Sequence, residues 1–170
     1  MTLRQEPVLE RLRRRVTAED ALEGALLLGS FATQSADALS DLDVLVVVAE
    51  GRFAESWAAR ERLEGDEAIA AWDDVDPDHA EIGGHKWLTR DLVLVECLLA
   101  TPSSGVRLAE PYSVLAGDVS LPDRLRRRAE FTRAELREFA AARADAGRLN
   151  EVEAAYGRLV DAVRSATGAA

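Results

Sequence analysis

The chain has 170 residues, a formal net charge of −10 and 48% apolar residues, which allows one domain of ordinary size, or one such domain with a helical appendage. No apolar run approaches the roughly 20 residues that cross a bilayer, and the N-terminus lacks the apolar segment of a secretory signal, so we expect a cytoplasmic protein without a membrane partner. The acidic charge disfavours a long nucleic acid as partner, because such binding depends on basic side chains that neutralise phosphates.

The first half of the chain alternates between helix and strand patterns. The apolar spacing of residues 7–15 predicts a helix, and the tetrad Ala25 to Leu28 predicts a buried strand. Residues 42–48, LDVLVVV, are β-branched and almost continuously apolar, which predicts a central strand covered on both faces. A further helix is expected within residues 52–64.

The second half begins with an acidic connection, in which we expect a short helix at residues 67–72. The segments HKWLT and VLVECLLA flank Arg90 and Asp91 and predict a β-hairpin. Alanine, arginine and glutamate favour a long helix over residues 123–146, and an apolar stripe after Gly147 marks a second. The predicted fold is therefore α+β: a small mixed β-sheet with flanking helices in residues 1–120 and a C-terminal antiparallel helical pair in residues 121–170.

The most informative segment is LLLGSFATQSADALSDLDVLVVV, in which a strand ends in Gly-Ser and a second strand begins with Ser-Asp-Leu-Asp. Asp41 and Asp43 are two residues apart, so on a strand their carboxylates project from one face. Such a pair repels itself unless a cation lies between, and Mg²⁺ suits these oxygen ligands together with substrate phosphates. Gly29 permits close approach of the backbone to a phosphate, and Ser30 adds a hydroxyl and an N–H.

This pattern resembles the signature of the DNA polymerase β-like nucleotidyltransferase superfamily: a hydrophobic residue, Gly-Ser, about ten residues, then an acid, a hydrophobic residue and a second acid. The six matching positions are Leu28, Gly29, Ser30, Asp41, Leu42 and Asp43. The resemblance covers residues 26–99. The family members that resemble this chain in size include the minimal and antibiotic nucleotidyltransferases, which append a helical bundle to the catalytic sheet, and the helical tail of this chain agrees with that bundle in kind only. We include Ser40, directly before the acids, with Gly29 and Ser30 as predicted nucleotide-binding residues.

A third acid on a later strand is also implied by the resemblance, and Glu96 in VLVECLL matches it. A charge inside an apolar strand is costly unless it is paired or bound to metal. Glu81 and Asp91 compete for the role, and an edge-strand position or an arginine partner remains the alternative for Glu96. Lys86, the only lysine, could neutralise a phosphate, and Trp87 fits the core better than a base-stacking role.

The resemblance implies two Mg²⁺ ions held by Asp41, Asp43 and Glu96, with Glu96 on the side of the acceptor hydroxyl. The expected reaction is transfer of a nucleoside monophosphate, AMP from ATP, to a hydroxyl of a small molecule or protein. The loop after Gly-Ser departs from the family pattern, having Thr33, Gln34, Ser35 and Ala36 where an arginine and a glycine are common. Two alternatives therefore stay open: an inactive nucleotide-binding protein that retains the fold, and an interaction module whose helical tail pairs with another chain or forms a homodimer.

Overall fold

The computed structural model describes residues 3–75, 81–108 and 110–127, which form a mixed α+β structure. None of the helices in these ranges is both long and apolar enough to cross a bilayer. The helices of the described ranges are Glu6–Ala18 (α1), Gly29–Ala32 (α2) and Phe53–Ala58 (α3). The strands there are Leu22–Leu27 (β1), Leu42–Val48 (β2), Ala68–Val75 (β3), Ile82–Thr89 (β4), Leu94–Ala100 (β5), Arg107–Leu108 (β6), Ser113–Gly117 (β7) and Arg126–Arg127 (β8).

Six strands form one sheet in the order β3-β4-β5-β2-β1-β7, and β6 pairs with β8 separately. Strand β2 runs antiparallel to β1 and parallel to β5, which makes the sheet mixed. Strands β4 and β5 are antiparallel neighbours. The first two strands of the chain are therefore neighbours in the sheet, and the predicted hairpin is confirmed.

Strand β2 lies inside the sheet and is buried on both faces, as its apolar run predicts. Val44 and Val46 belong to the core beneath α1, whose own apolar stripe is buried. Leu45 and Val47 point to the opposite face, because successive side chains of a strand alternate. They pack in a second core with residues that follow β5, including Leu121. Apolar residues therefore pack against both faces of the sheet at β2.

The prediction of a helix at residues 67–72 is wrong, because Ala68–Val75 is the edge strand β3. Its alanines favour a helix, but pairing with β4 overrides that local preference. An edge strand with both faces largely exposed shows no alternation of apolar and polar residues, so the usual sequence signal is missing. The helix expected within residues 52–64 is split into α3 and a 3-10 turn at Arg60–Leu63.

The long C-terminal helix does not begin at residue 123. Leu121–Arg124 is a 3-10 turn, and Arg126–Arg127 is the short strand β8. Leu121, Pro122 and Leu125 are buried, and the two leucines belong to the second core, so this segment is shaped by packing rather than by helix propensity. The rest of the predicted helical pair lies outside the described residues.

The Arg60 side chain ties the 3-10 turn to the edge strand. Its guanidinium donates to both carboxylate oxygens of Asp73, at 2.8 and 2.6 Å, and lies 4.6 Å from the ring centre of Trp57. We expect Arg60→Ala to lower the free energy of unfolding by about 1–2 kcal/mol, measured by urea denaturation, because charged hydrogen bonds and a cation–π contact are lost. Arg62→Ala, at a largely exposed arginine, is the control and should change it by less than about 0.5 kcal/mol. Equal midpoints for the two variants would contradict this role.

Candidate functional site

Four side chains stand in register across four neighbouring strands. Asp43 of β2 pairs with Glu96 of β5, Glu96 pairs with Lys86 of β4, and Lys86 pairs with Trp72 of β3. Directly paired residues project from the same face of a sheet. We call these four residues the cross-sheet row. Because Val44 faces α1, the row lies on the opposite face, beside the second core.

The Gly-Ser bend lies directly against Asp43. The backbone N–H of Leu28 donates to the carbonyl of Asp43 at 2.9 Å, which extends the pairing of β1 with β2 by one more hydrogen bond. Gly29 has a φ of +57°, and a Cβ built there would lie 2.2 Å from Oδ2 of Asp43. Only glycine fits this position without displacing the carboxylate. Ser30 is the second residue of α2.

Asp41 and Ser40 lie in the turn just before β2. Asp41 is exposed and precedes the first strand residue, Leu42. The hydroxyl of Ser40 donates to Oδ1 of Asp37 at 3.0 Å and accepts from the Asp37 N–H at 3.0 Å. The turn thus engages the Ser40 hydroxyl, whereas the Asp41 carboxylate is exposed and is not among the described residues that line the cavity beside Asp43.

Electrostatic repulsion is concentrated at Asp43. Burial raises the pKa of its carboxyl above the usual value, and the negative charges of Asp41 and Glu96 raise it further, while Lys86 acts in the opposite direction. The charged form of Asp43 is therefore destabilised by its surroundings. A divalent cation between these carboxylates would relieve that repulsion.

Lys86 bridges two carboxylates on this face. Its Nζ lies 2.9 Å from Oδ2 of Asp74 and 2.9 Å from Oε1 of Glu96. The pairs with Asp74 and Glu96 raise the pKa of Lys86 to about 12, so the ammonium stays charged. Glu96 is thus held by a cation from its own chain. A metal ion that uses both oxygens of Glu96 requires the lysine to move.

A small cavity of about 170 Å³ lies beside Asp43, Glu96 and Lys86 of the row, and its lining also includes Leu28 and Asp74. A larger cavity of about 440 Å³ lies among residues of α1, α3 and the Arg60–Leu63 turn, and its described lining includes none of the predicted site residues. Arg15 and Glu19 in that lining pair with each other at 2.8 Å. The smaller cavity is therefore the one associated with the carboxylates.

The donor set fits Mg²⁺ in kind, because it consists of carboxylate oxygens with room for phosphate and water. Within the described residues, however, no three histidine, cysteine or acidic side chains are already close enough to hold a metal ion. The carboxylates of Asp43 and Glu96 share a face and influence each other electrostatically. They would have to close around an ion, with Lys86 released from Glu96.

The other acidic, aromatic, histidine and cysteine side chains discussed for this region take structural positions. Glu81 accepts a hydrogen bond from Thr101 at 2.7 Å, and Asp91 is exposed in the turn between β4 and β5. Trp87 is fully buried in the core, which agrees with its sequence interpretation. His85 is buried and hydrogen-bonded to Asp73 and Glu64, at 2.7 and 2.8 Å. Cys97 is buried, which raises the pKa of its thiol to about 12.

Sequence reasoning missed three residues of this region. Gln5 is fully buried, and its Nε2 donates to the carbonyls of Asp37 and Ser40 at 3.0 and 2.6 Å, which fixes the turn before the acids. Asp74 and Trp72 join the site through β3, a segment that was taken for a helix. No local sequence pattern indicates that Gln5 supports the site. Trp72 would have been predicted on a face of the sheet if the alanine-rich segment around WDD had been treated as a strand.

Comparison of the sequence with protein-family models and with curated proteins finds no significant match to either. The interpretation of the site therefore depends on its own geometry and on the motif resemblance.

Proposed function

We propose that this chain is a Mg²⁺-dependent nucleotidyltransferase that transfers a nucleoside monophosphate, AMP from ATP, to a hydroxyl of a small molecule or protein. The observation that carries the proposal is the meeting of Gly29, Asp43 and Glu96, which come from three separate segments, on one face of the sheet. Such a transfer needs a Gly-Ser bend, a half-buried carboxylate and a second carboxylate on the neighbouring strand in register with the first.

In the proposed reaction the acceptor hydroxyl gives its proton to water, and its oxygen bonds to the α-phosphorus. The bond from that phosphorus to the bridging oxygen breaks, and pyrophosphate leaves with the electron pair of that bond. Asp41, Asp43 and Glu96 would hold two Mg²⁺ ions, which when bound supply charge neutralisation and a lowered pKa for the acceptor hydroxyl. In this proposal the hydroxyl and backbone N–H of Ser30 would donate to phosphate oxygens, and Gly29 would let a phosphate approach the backbone closely.

The role of Glu96 is linked to Lys86. While the ammonium lies 2.9 Å from Oε1 of Glu96, the carboxylate is neutralised by its own chain. Substrate binding would shift Lys86 toward Asp74 or toward a phosphate, because an ammonium is a mobile point charge on a flexible stem. Glu96 then becomes free to act on the acceptor side.

Nucleotidyl transfer can be measured as pyrophosphate release and as label transfer from α-labelled nucleotides, with Mg²⁺ and a panel of hydroxyl-bearing small molecules and proteins. We expect Asp43→Asn to reduce the rate by more than about 100-fold, because even groups that only support a metal ligand contribute 10- to 100-fold. Asp91→Asn, at an exposed turn carboxylate, should retain the wild-type rate. Equal labelling by wild type and Asp43→Asn would refute the assignment.

A second candidate function is favoured by the Lys86 ion pairs and by the departures in the loop after Gly-Ser. In this alternative Lys86 neutralises Glu96 permanently, and the protein binds a nucleotide without reacting it. Calorimetry with ATP distinguishes the two: binding without pyrophosphate release for any acceptor supports the inactive protein. An interaction module would bind neither nucleotide nor metal.

A further inference from the structure

Trp72 differs from the other two tryptophans in its position and exposure. It is 44% exposed near the middle of β3, whereas Trp87 is fully buried and Trp57 packs against Phe53 with ring centres 6.2 Å apart. Its register partner is Lys86, so the indole shares the open face with Glu96 and Asp43. A large aromatic side chain is thus presented to solvent at the end of a row of charged groups.

The geometry of nucleotidyl transfer indicates whether the nucleotide or the acceptor lies near Trp72. Strand β1 borders β2 on the side opposite β5, and Gly29 follows β1, so a triphosphate held at the Gly-Ser bend lies on the β1 side of Asp43. In phosphoryl-type transfer the attacking oxygen enters roughly in line with the leaving group, from the opposite side. Given the proposed function, the acceptor therefore lies over β5, β4 and β3.

The distance between strands along the cross-sheet row then indicates how far the acceptor extends from Glu96. Neighbouring strands lie about 4.8 Å apart, so Trp72 is about 10 Å from Glu96, two strands away. Between them Lys86 and Asp74 form a polar floor that suits hydroxyl groups, because a salt bridge offers both donors and acceptors. An indole with an exposed face binds flat rings by stacking.

We propose that Trp72 is the specificity-determining residue of an acceptor subsite, and that it stacks on a planar aromatic ring about 10 Å from the hydroxyl that attacks. The acceptor class is a polyhydroxylated molecule that carries such a ring, for which an aryl glycoside is a simple representative. This inference rests on the proposed function, because only that function identifies the bound molecule as the acceptor.

The test compares phenyl β-glucoside with methyl β-glucoside, which share their sugar hydroxyls and differ in the aromatic ring. With Mg²⁺, which is diamagnetic, and a non-hydrolysable ATP analogue present, NMR titration should show the phenyl compound binding at least about fivefold more tightly, the lower range of one stacking contact. Only the phenyl compound should shift the indole N–H signal of Trp72, which Trp72→Phe identifies by its disappearance.

Matched variants separate stacking from strand stability. Trp72→Ala should abolish the preference for the phenyl compound, and Trp72→Phe should retain most of it. Ile69→Ala, at a 54% exposed residue of the same strand, should leave it unchanged. A preference that survives in Trp72→Ala, or equal binding of the two glucosides by wild type, would overturn the acceptor subsite.

The two proposals fail in different ways. If no acceptor ever releases pyrophosphate but the ring preference depends on Trp72, the transferase assignment is wrong and the ring-binding residue is correctly identified. If pyrophosphate is released but the preference is independent of Trp72, the reaction stands and the subsite is rejected.

Discussion

Gly29→Ala should abolish nucleotidyl transfer while leaving most of the fold intact. The new methyl group would be built 2.2 Å from Oδ2 of Asp43, so the carboxylate has to turn away from its place at the bend. A left-handed backbone is also unfavourable for alanine by about 1–2 kcal/mol. We expect the rate of pyrophosphate release to fall by more than about 100-fold, because a displaced metal ligand costs at least as much as a group that only supports one. The free energy of unfolding in urea should fall by roughly 1–2 kcal/mol.

Gly51 supplies a matched control for this substitution. Its φ of +73° imposes a similar backbone penalty, but a Cβ there meets no atom within 4 Å. Gly51→Ala should therefore lose a similar amount of stability and retain the wild-type rate. Comparable loss of activity in both variants would show that backbone strain, rather than contact with Asp43, explains the result, and a fully active Gly29→Ala would contradict the position given to the bend.

Asp43→Asn should stabilise the metal-free protein and make it insensitive to divalent cations. The pKa of Asp43 is raised in the folded state, chiefly by burial, so the folded protein holds this proton more tightly than the unfolded chain does. The free energy of unfolding therefore decreases as pH rises from near 4 through the raised pKa, and the penalty persists at neutral pH. Asparagine has no charge to bury, so the midpoint of thermal unfolding should be higher at pH 7.

Divalent cations should make the wild type more stable than Asp43→Asn, the reverse of the order expected without metal. A ligand that binds only the folded state stabilises it by about 2.7 kcal/mol at a free concentration of 100 times its Kd. Mn²⁺ should raise the melting temperature of the wild type and of Asp91→Asn, while Asp43→Asn shows no increase. The test is thermal unfolding with EDTA and with Mn²⁺, at pH 4 and pH 7. A metal-free Asp43→Asn that melts below wild type at pH 7 would contradict the repulsion described for this carboxylate.

Local patterns were sufficient for the central part of the sheet. The run LDVLVVV predicts β2 with both faces covered, and Leu42–Val48 is that strand, because so many consecutive β-branched residues are stable only between two apolar layers. The amphipathic stripe of α1 and the hairpin of β4 and β5 follow from equally strong signals. The spacing of Gly29, Asp41 and Asp43 is likewise a property of the sequence alone.

Other elements had no local signal strong enough to identify them. The alanines of β3 favour a helix, and only pairing with β4 makes the segment a strand. The turn at Leu121–Arg124 follows from burial of Leu121 and Leu125 against the sheet, which the helix-favouring composition of the segment does not reveal. In both cases tertiary contacts exceeded a propensity of less than about 1 kcal/mol per residue.

The sequence by itself determined which residues could carry the chemistry, namely the Gly-Ser bend, the paired aspartates and an acid inside an apolar strand. Only the tertiary structure decided their neighbours: Glu96 beside Asp43, Lys86 beside Glu96, and Trp72 at the far end of the row. The physical reason is that side chains on different strands meet according to register, and register depends on how two distant apolar patterns pair when the sheet forms.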